Sequence, residues 1–92
     1  PKAIGEILGT FLRENNLEQP LLEKHVVEMW EQVIGPALSR YTSDPQMKNG
    51  TLFVRVSSAP LRQEFFLGRK ELIRRLNNAV GATVVKDIRF LA

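Results

Sequence analysis

The chain has 92 residues, 13 Lys and Arg against 10 Asp and Glu, and no cysteine. That length suits one domain spanning 1–92 with a modest core, and the lack of cysteine excludes disulfides, thiolate metal sites and thiol catalysis. No apolar run approaches the roughly 18 residues of a membrane span, and no signal-peptide pattern opens the chain, so a cytoplasmic protein without membrane contact is expected. The start at Pro1 implies that the initiating residues are missing.

Ile4, Ile7, Leu8, Phe11 and Leu12 fall on one helical stripe, which predicts an N-terminal helix ended by Asn15-Asn16. Pro20 suits the first turn of a second helix, whose core stripe is Leu22, Val26, Met29, Trp30 and Val33. Trp30 is expected in the core in that register, the alternative being an interface anchor, and His25, beside the stripe, is expected to be structural. Gly35-Pro36 stops this helix, and a short helical turn follows through Leu38. Tyr41–Lys48 is a weak strand, confined by Pro45 to an edge or a bulge. Asn49-Gly50 predicts a hairpin turn, because both residues tolerate positive φ. Thr51–Val56 then alternates, with Leu52, Val54 and Val56 on one face and Thr51, Phe53 and Arg55 on the other.

Ser58 can cap a helix that has Pro60 in its first turn. The helical pattern runs to Ala79 and ends at Gly81. An unbroken helix would set Arg69 inside the apolar arc of Phe65, Leu72, Ile73 and Leu76, so a break at Gly68 is expected. The first piece holds Leu61, Phe65 and Phe66, and the second holds Leu72, Ile73, Leu76, Ala79 and Val80. Val84–Leu91 is a final strand with Val84, Ile88 and Phe90 on one face. The other face of the sheet would carry Phe53, Arg55, Val85 and Arg89. Strands clustered between helices predict an α+β domain with helices on one face of a small sheet.

Charge is divided unevenly along this order. Residues 1–50 carry 5 basic and 7 acidic side chains, whereas residues 51–92 carry 8 basic and 3 acidic. Five of the eight arginines and Lys70 lie between Arg55 and Arg75. Such a field attracts polyanions and acidic partners. Arginine adds bidentate phosphate or carboxylate contacts that lysine does not make. The candidate binding residues are Arg55, Arg62, Arg69, Lys70, Arg74, Arg75 and Arg89. On the last long helix Lys70 and Arg74 share a face opposite the core, flanked by Asn77 and Asn78; the alternative to a binding face is a solvated helix surface with Glu71–Arg75 as a modest i,i+4 pair. Phe53, outward beside Arg55 and Arg89, joins the set as a stacking or anchoring residue, unless the N-terminal helix covers that face. No phosphate-loop signature occurs, and no carboxylate pair stands at metal-ligand spacing near a histidine. Binding rather than catalysis is expected, with no cofactor and no metal.

Trp30-Glu31-Gln32-Val33-Ile34-Gly35 and Gly50-Thr51-Leu52-Phe53-Val54-Arg55-Val56-Ser57-Ser58 are followed by Gln63-Glu64, Leu72-Ile73-Arg74-Arg75-Leu76-Asn77, Gly81 and Ile88-Arg89-Phe90. This ordered combination, over roughly residues 4–91, resembles the bacterial DciA-type family, which binds and helps load the replicative DNA helicase. The resemblance implies a K-homology-like fold of the second type, helix-strand-strand-helix-helix-strand, with an extra N-terminal helix and a small three-stranded mixed sheet. It also implies a non-enzymatic adaptor whose partners are the replicative helicase and, through weak and salt-sensitive contacts, single-stranded DNA. An RNA-binding K-homology-like protein and a protein-only interaction domain are the alternatives. K-homology domains clamp a nucleic-acid backbone with a Gly-x-x-Gly loop between two helices. The corresponding place here reads Gly68-Arg69-Lys70-Glu71, so a carboxylate replaces the second glycine and opposes a phosphate.

Overall fold

The computed structural model of the chain describes residues 18–92, and the helix expected over residues 4–12 lies outside them. The first element is helix α1, Glu18–Ile34. Most of its expected stripe is buried: Val26, Trp30 and Val33 enter the core and Leu22 packs against it, whereas Met29 is only half-buried. A one-turn helix α2, Pro36–Ser39, follows Gly35. Trp30 is 0% exposed, and its indole Nε1 donates to Thr42 Oγ1 at 3.2 Å. The buried ring therefore leaves no polar atom unsatisfied.

Strand β1, Thr42–Lys48, pairs antiparallel with β2, Thr51–Val56. The turn between them has Asn49 at φ 52° and Gly50 at φ 82°, the twisted two-residue geometry expected of this dipeptide. A side chain at residue 50 would be doubly unfavourable, since a Cβ there would also meet Lys86 Cδ at 3.2 Å. The turn is tied down on both sides. Gly50 N donates to Glu23 Oε2 of α1, and Lys86 N donates to Gly50 O. Pro45 sits in the edge strand within a register shift between Ser43 and Gln46, where Asp44 takes φ 51°. Both consequences expected of that proline, edge position and bulge, are present.

Ser58 Oγ accepts from Leu61 N and opens helix α3, Ala59–Leu67. Gly68 separates it from α4, Arg69–Val80. The break occurs where expected but uses none of glycine's special freedom. Gly68 lies at φ −96°, ψ 14°, and an added Cβ would make ordinary contact with Glu64 O at 3.5 Å. Strand β3, Asp87–Leu91, runs parallel to β2 with Leu52 opposite Ile88 and Phe53 opposite Arg89. The sheet order is β1-β2-β3, so β2 is central and the sheet is mixed. Helices pack on it in the α+β order predicted from the sequence. Leu52, Val54 and Val56 of β2 meet Val26, Trp30, Phe65, Leu72 and Leu76 of the helices in one core.

Four expectations are corrected. The last strand begins at Asp87 rather than Val84, and Val85 is only 1% exposed, so it does not belong to the outer sheet face. The cause is Asn77. Its Oδ1 accepts from Val84 N and Val85 N, and its Nδ2 donates to Val85 O, so the chain is bent over the end of α4 before it enters the sheet. Asn77 is thus a half-buried clamp rather than a flank of a basic surface. Phe66 does not share the burial of Phe65: it is 50% exposed, while Phe65 is 6%. Successive residues on a helix differ by about 100° in direction, so only one of such a pair reaches the core.

A basic groove between the third helix and the edge strand

The two walls of one groove come from α3 and β3. Ala59, Arg62, Gln63 and Phe66 of α3 line it at helical spacing, and Arg69 continues that wall past the break. The opposite wall is all five residues of β3, Asp87 to Leu91. Side chains alternate between the faces of a strand. A groove touching every consecutive residue must therefore run along the strand's edge. Among the described residues no strand pairs with that edge. The groove encloses about 690 Å³. Five strand residues give it a length of about 16 Å. Its floor is continuous with the core, because Phe90 stacks on Phe65 at 5.5 Å between centroids and Phe65 meets Trp30 edge-on at 6.0 Å.

Of the eight candidate residues, Arg62, Arg69 and Arg89 are brought together here. Each is held differently. Arg62 is half-buried, its Nη2 donating to Val56 O at 3.0 Å, with Nε buried and without a hydrogen-bond partner. Arg69 lies over the Phe66 ring, 4.3 Å from its centroid, and Nη1 donates to Phe66 O at 3.0 Å. Arg89 is exposed and faces Asp87 at 3.4 Å. With Asp87 included, three positive charges stand against one negative across the two walls of the groove.

The remaining five lie elsewhere. Phe53 is half-buried on β2, beside Arg89 in the pairing register. Arg55 is exposed, faces Asp44 at 3.8 Å and donates to Ala92 O at 3.0 Å. Lys70 and Arg74 are both exposed on α4. The ion pair of that helix is Glu71–Arg74 rather than Glu71–Arg75: Arg74 Nε donates to Glu71 Oε2 at 2.9 Å, and Nη2 donates to Oε1. Those hydrogen bonds from Arg74 are the main reason that the Glu71 carboxyl stays below its ordinary pKa. It is ionised at neutral pH and offsets Arg74. Arg75 turns instead to α1, donating from Nη2 to Val33 O at 2.8 Å. It occupies a carbonyl at the C-terminal end of that helix, a favourable place for a cation. Phe66 and Asp87 are groove residues the sequence reading did not single out. A signal existed for Phe66, since Phe65-Phe66 on one helix forces one ring outward.

Among the described residues no group of three or more His, Cys, Asp or Glu side chains could hold a metal ion, and no helix is long and apolar enough to cross a membrane. His25 is exposed. The fold is a small α+β domain of K-homology-like order. The chain belongs to the DciA family, described as Dna[CI] antecedent, whose family model matches residues 3–90. That family has a role in loading the replicative helicase during DNA replication. No curated protein matches the chain.

Proposed function

We propose that this chain is a non-enzymatic, cytoplasmic adaptor of one domain that binds the replicative helicase and holds single-stranded DNA in the groove between α3 and β3. The observation that carries the DNA reading is the convergence of Arg62, Arg69 and Arg89 on one slot, about 690 Å³ in volume, that follows a strand edge. Its length of about 16 Å suits the few nucleotides that a K-homology groove holds. Glu71 does not line this slot. Its carboxylate therefore weakens the exposed face of α4 more than it opposes a strand lying in the groove.

The reading separates the groove from the α4 face experimentally. Arg69→Glu with Arg89→Glu is expected to abolish binding of a single-stranded oligonucleotide. Lys70→Glu with Arg74→Glu is expected to leave most of it, because Glu71 already offsets Arg74. Arg62 and Arg75 are poor choices for this test, since each donates to a backbone carbonyl within the fold. Wild-type log affinity should fall against log salt with a slope of about −2, the value for roughly three neutralised phosphates on a single strand. Fluorescence anisotropy at several salt concentrations measures both, with circular dichroism to confirm folding. Equal losses in the two double variants would place the site outside the groove.

Glu71→Gln gives an independent measure of the α4 face. Freeing Arg74 is expected to raise oligonucleotide affinity only slightly, since an exposed charge contact is screened by solvent and salt. A rise of ten-fold or more at the same salt concentration would make α4 the principal contact.

A further inference from the structure

Among the described residues Phe66 stands outside the core cluster. The core is served by Phe65, and the Phe66 ring stands half exposed on the groove wall. Isolated exposed apolar side chains are ordinary, but this one is held in a defined arrangement. The Arg69 guanidinium lies over the ring and is itself fixed by the carbonyl of Phe66. Ring and guanidinium together make a two-part π surface lining a cationic slot. Leu91, 39% exposed, lies on the facing wall.

We propose that Phe66 is a base-stacking platform. A nucleobase splayed from a single strand lies against the ring and the Arg69 plane, while the flanking phosphates are met by Arg69 and Arg89. Aromatic rings and guanidinium planes both accept bases in this way. The contact is indifferent to sequence, because every base has a π-face. It is selective for strand state, because a base inside a duplex is stacked on its neighbours and cannot reach a ring in the groove wall. Charge alone gives no such preference, since a duplex presents more phosphates per unit length. Phe66 therefore supplies what the arginines do not: discrimination of single strands from duplex. This inference rests on the reading of the groove as a single-strand site.

The test uses the intact chain, with three probes at one salt concentration: a mixed-base single strand, an abasic strand of equal length and a duplex. Phe66→Ala is expected to weaken binding of the mixed-base strand about ten-fold. It should leave the abasic strand and the salt slope unchanged. Phe66→Trp is expected to keep wild-type affinity and to report stacking by quenching of its own fluorescence, since Trp30 is fully buried. Wild-type affinity for the mixed-base strand with an unaltered Phe66→Ala value overturns the platform and leaves the groove reading standing. Equal losses on mixed-base and abasic strands also overturn it. If the wild type binds no strand at low salt, the groove reading falls and the platform with it. If Phe66→Ala loses helicase capture while keeping single-strand affinity, the ring is a protein anchor and the proposal is overturned.

Discussion

Trp30→Ala is expected to destabilise the fold by about 3–5 kcal/mol, the range of large aromatic truncations in a packed core. For a chain of 92 residues, total stability is on the order of 5–14 kcal/mol, so this is a large share. The site is unfavourable for collapse. Trp30 is 0% exposed, meets Phe65 edge-on and donates to Thr42 Oγ1. Truncation opens a cavity between α1 and the sheet, removes an aromatic pair and leaves the threonine hydroxyl without its donor. Phe65 is also the ring on which Phe90 stacks, so loosening it reaches the floor of the groove. Trp30→Phe keeps the ring contact and loses the indole hydrogen bond and some volume, and should be clearly milder. Urea denaturation followed by circular dichroism measures both, because the substitution removes the chain's only tryptophan. A loss under about 1 kcal/mol for Trp30→Ala would contradict the buried, satisfied ring, since such small effects belong to surface positions.

What could be read from the sequence was whatever depends on a short window. Asn49-Gly50 specifies its turn because two adjacent residues accept positive φ, and the alternation over Thr51–Val56 leaves one strand face apolar. Ser58 caps α3 through an atom three residues from its partner. The break at Gly68 was also legible, from the conflict that an unbroken helix would create at Arg69. The groove was not legible, although three of its arginines were on the candidate list. Their convergence depends on how the end of α3 lies against β3, and β3 follows after α4 and a further loop. Ion pairing was equally hidden. Arg74 and Arg75 are neighbours in sequence, yet one pairs with Glu71 on its own helix and the other reaches a carbonyl of α1. Helical spacing assigned Arg75 to Glu71 and Arg74 to the open face, and only tertiary packing shows Arg75 drawn to α1 and Glu71 left to Arg74. Asn77 was misplaced for a related reason. A hydrogen bond from a side chain to a loop backbone leaves no period in the sequence, so a polar residue near an exposed helix face reads as solvated.

Asn77→Ala should therefore have a stability effect out of proportion to its size. The Oδ1 atom is the acceptor for Val84 N at 3.0 Å and Val85 N at 2.8 Å, and Nδ2 donates to Val85 O at 3.1 Å. Val84 and Val85 are 2% and 1% exposed, so water does not readily replace the lost partner. A buried polar group left unsatisfied costs about 1–3 kcal/mol. With two amides and one carbonyl affected, and some relaxation of the loop, the expected loss is about 2–4 kcal/mol. Asn77→Asp separates the contributions. It keeps an acceptor for both amides but replaces the donor with a carboxylate oxygen facing the carbonyl of Val85. Its loss should fall below that of Ala if the two amides dominate, and exceed it if the donor to Val85 does. The clamp also delivers the chain to Asp87 in register with Thr51, where β3 begins. Loosening it frays the strand edge that forms one wall of the groove, so Asn77→Ala should weaken single-strand binding as well as stability, although the residue lies outside the groove. Amide hydrogen exchange at Val84, Val85 and along β3, read beside oligonucleotide binding, tests this link. Retained protection of the two valine amides in Asn77→Ala would show that the loop holds its course without the clamp.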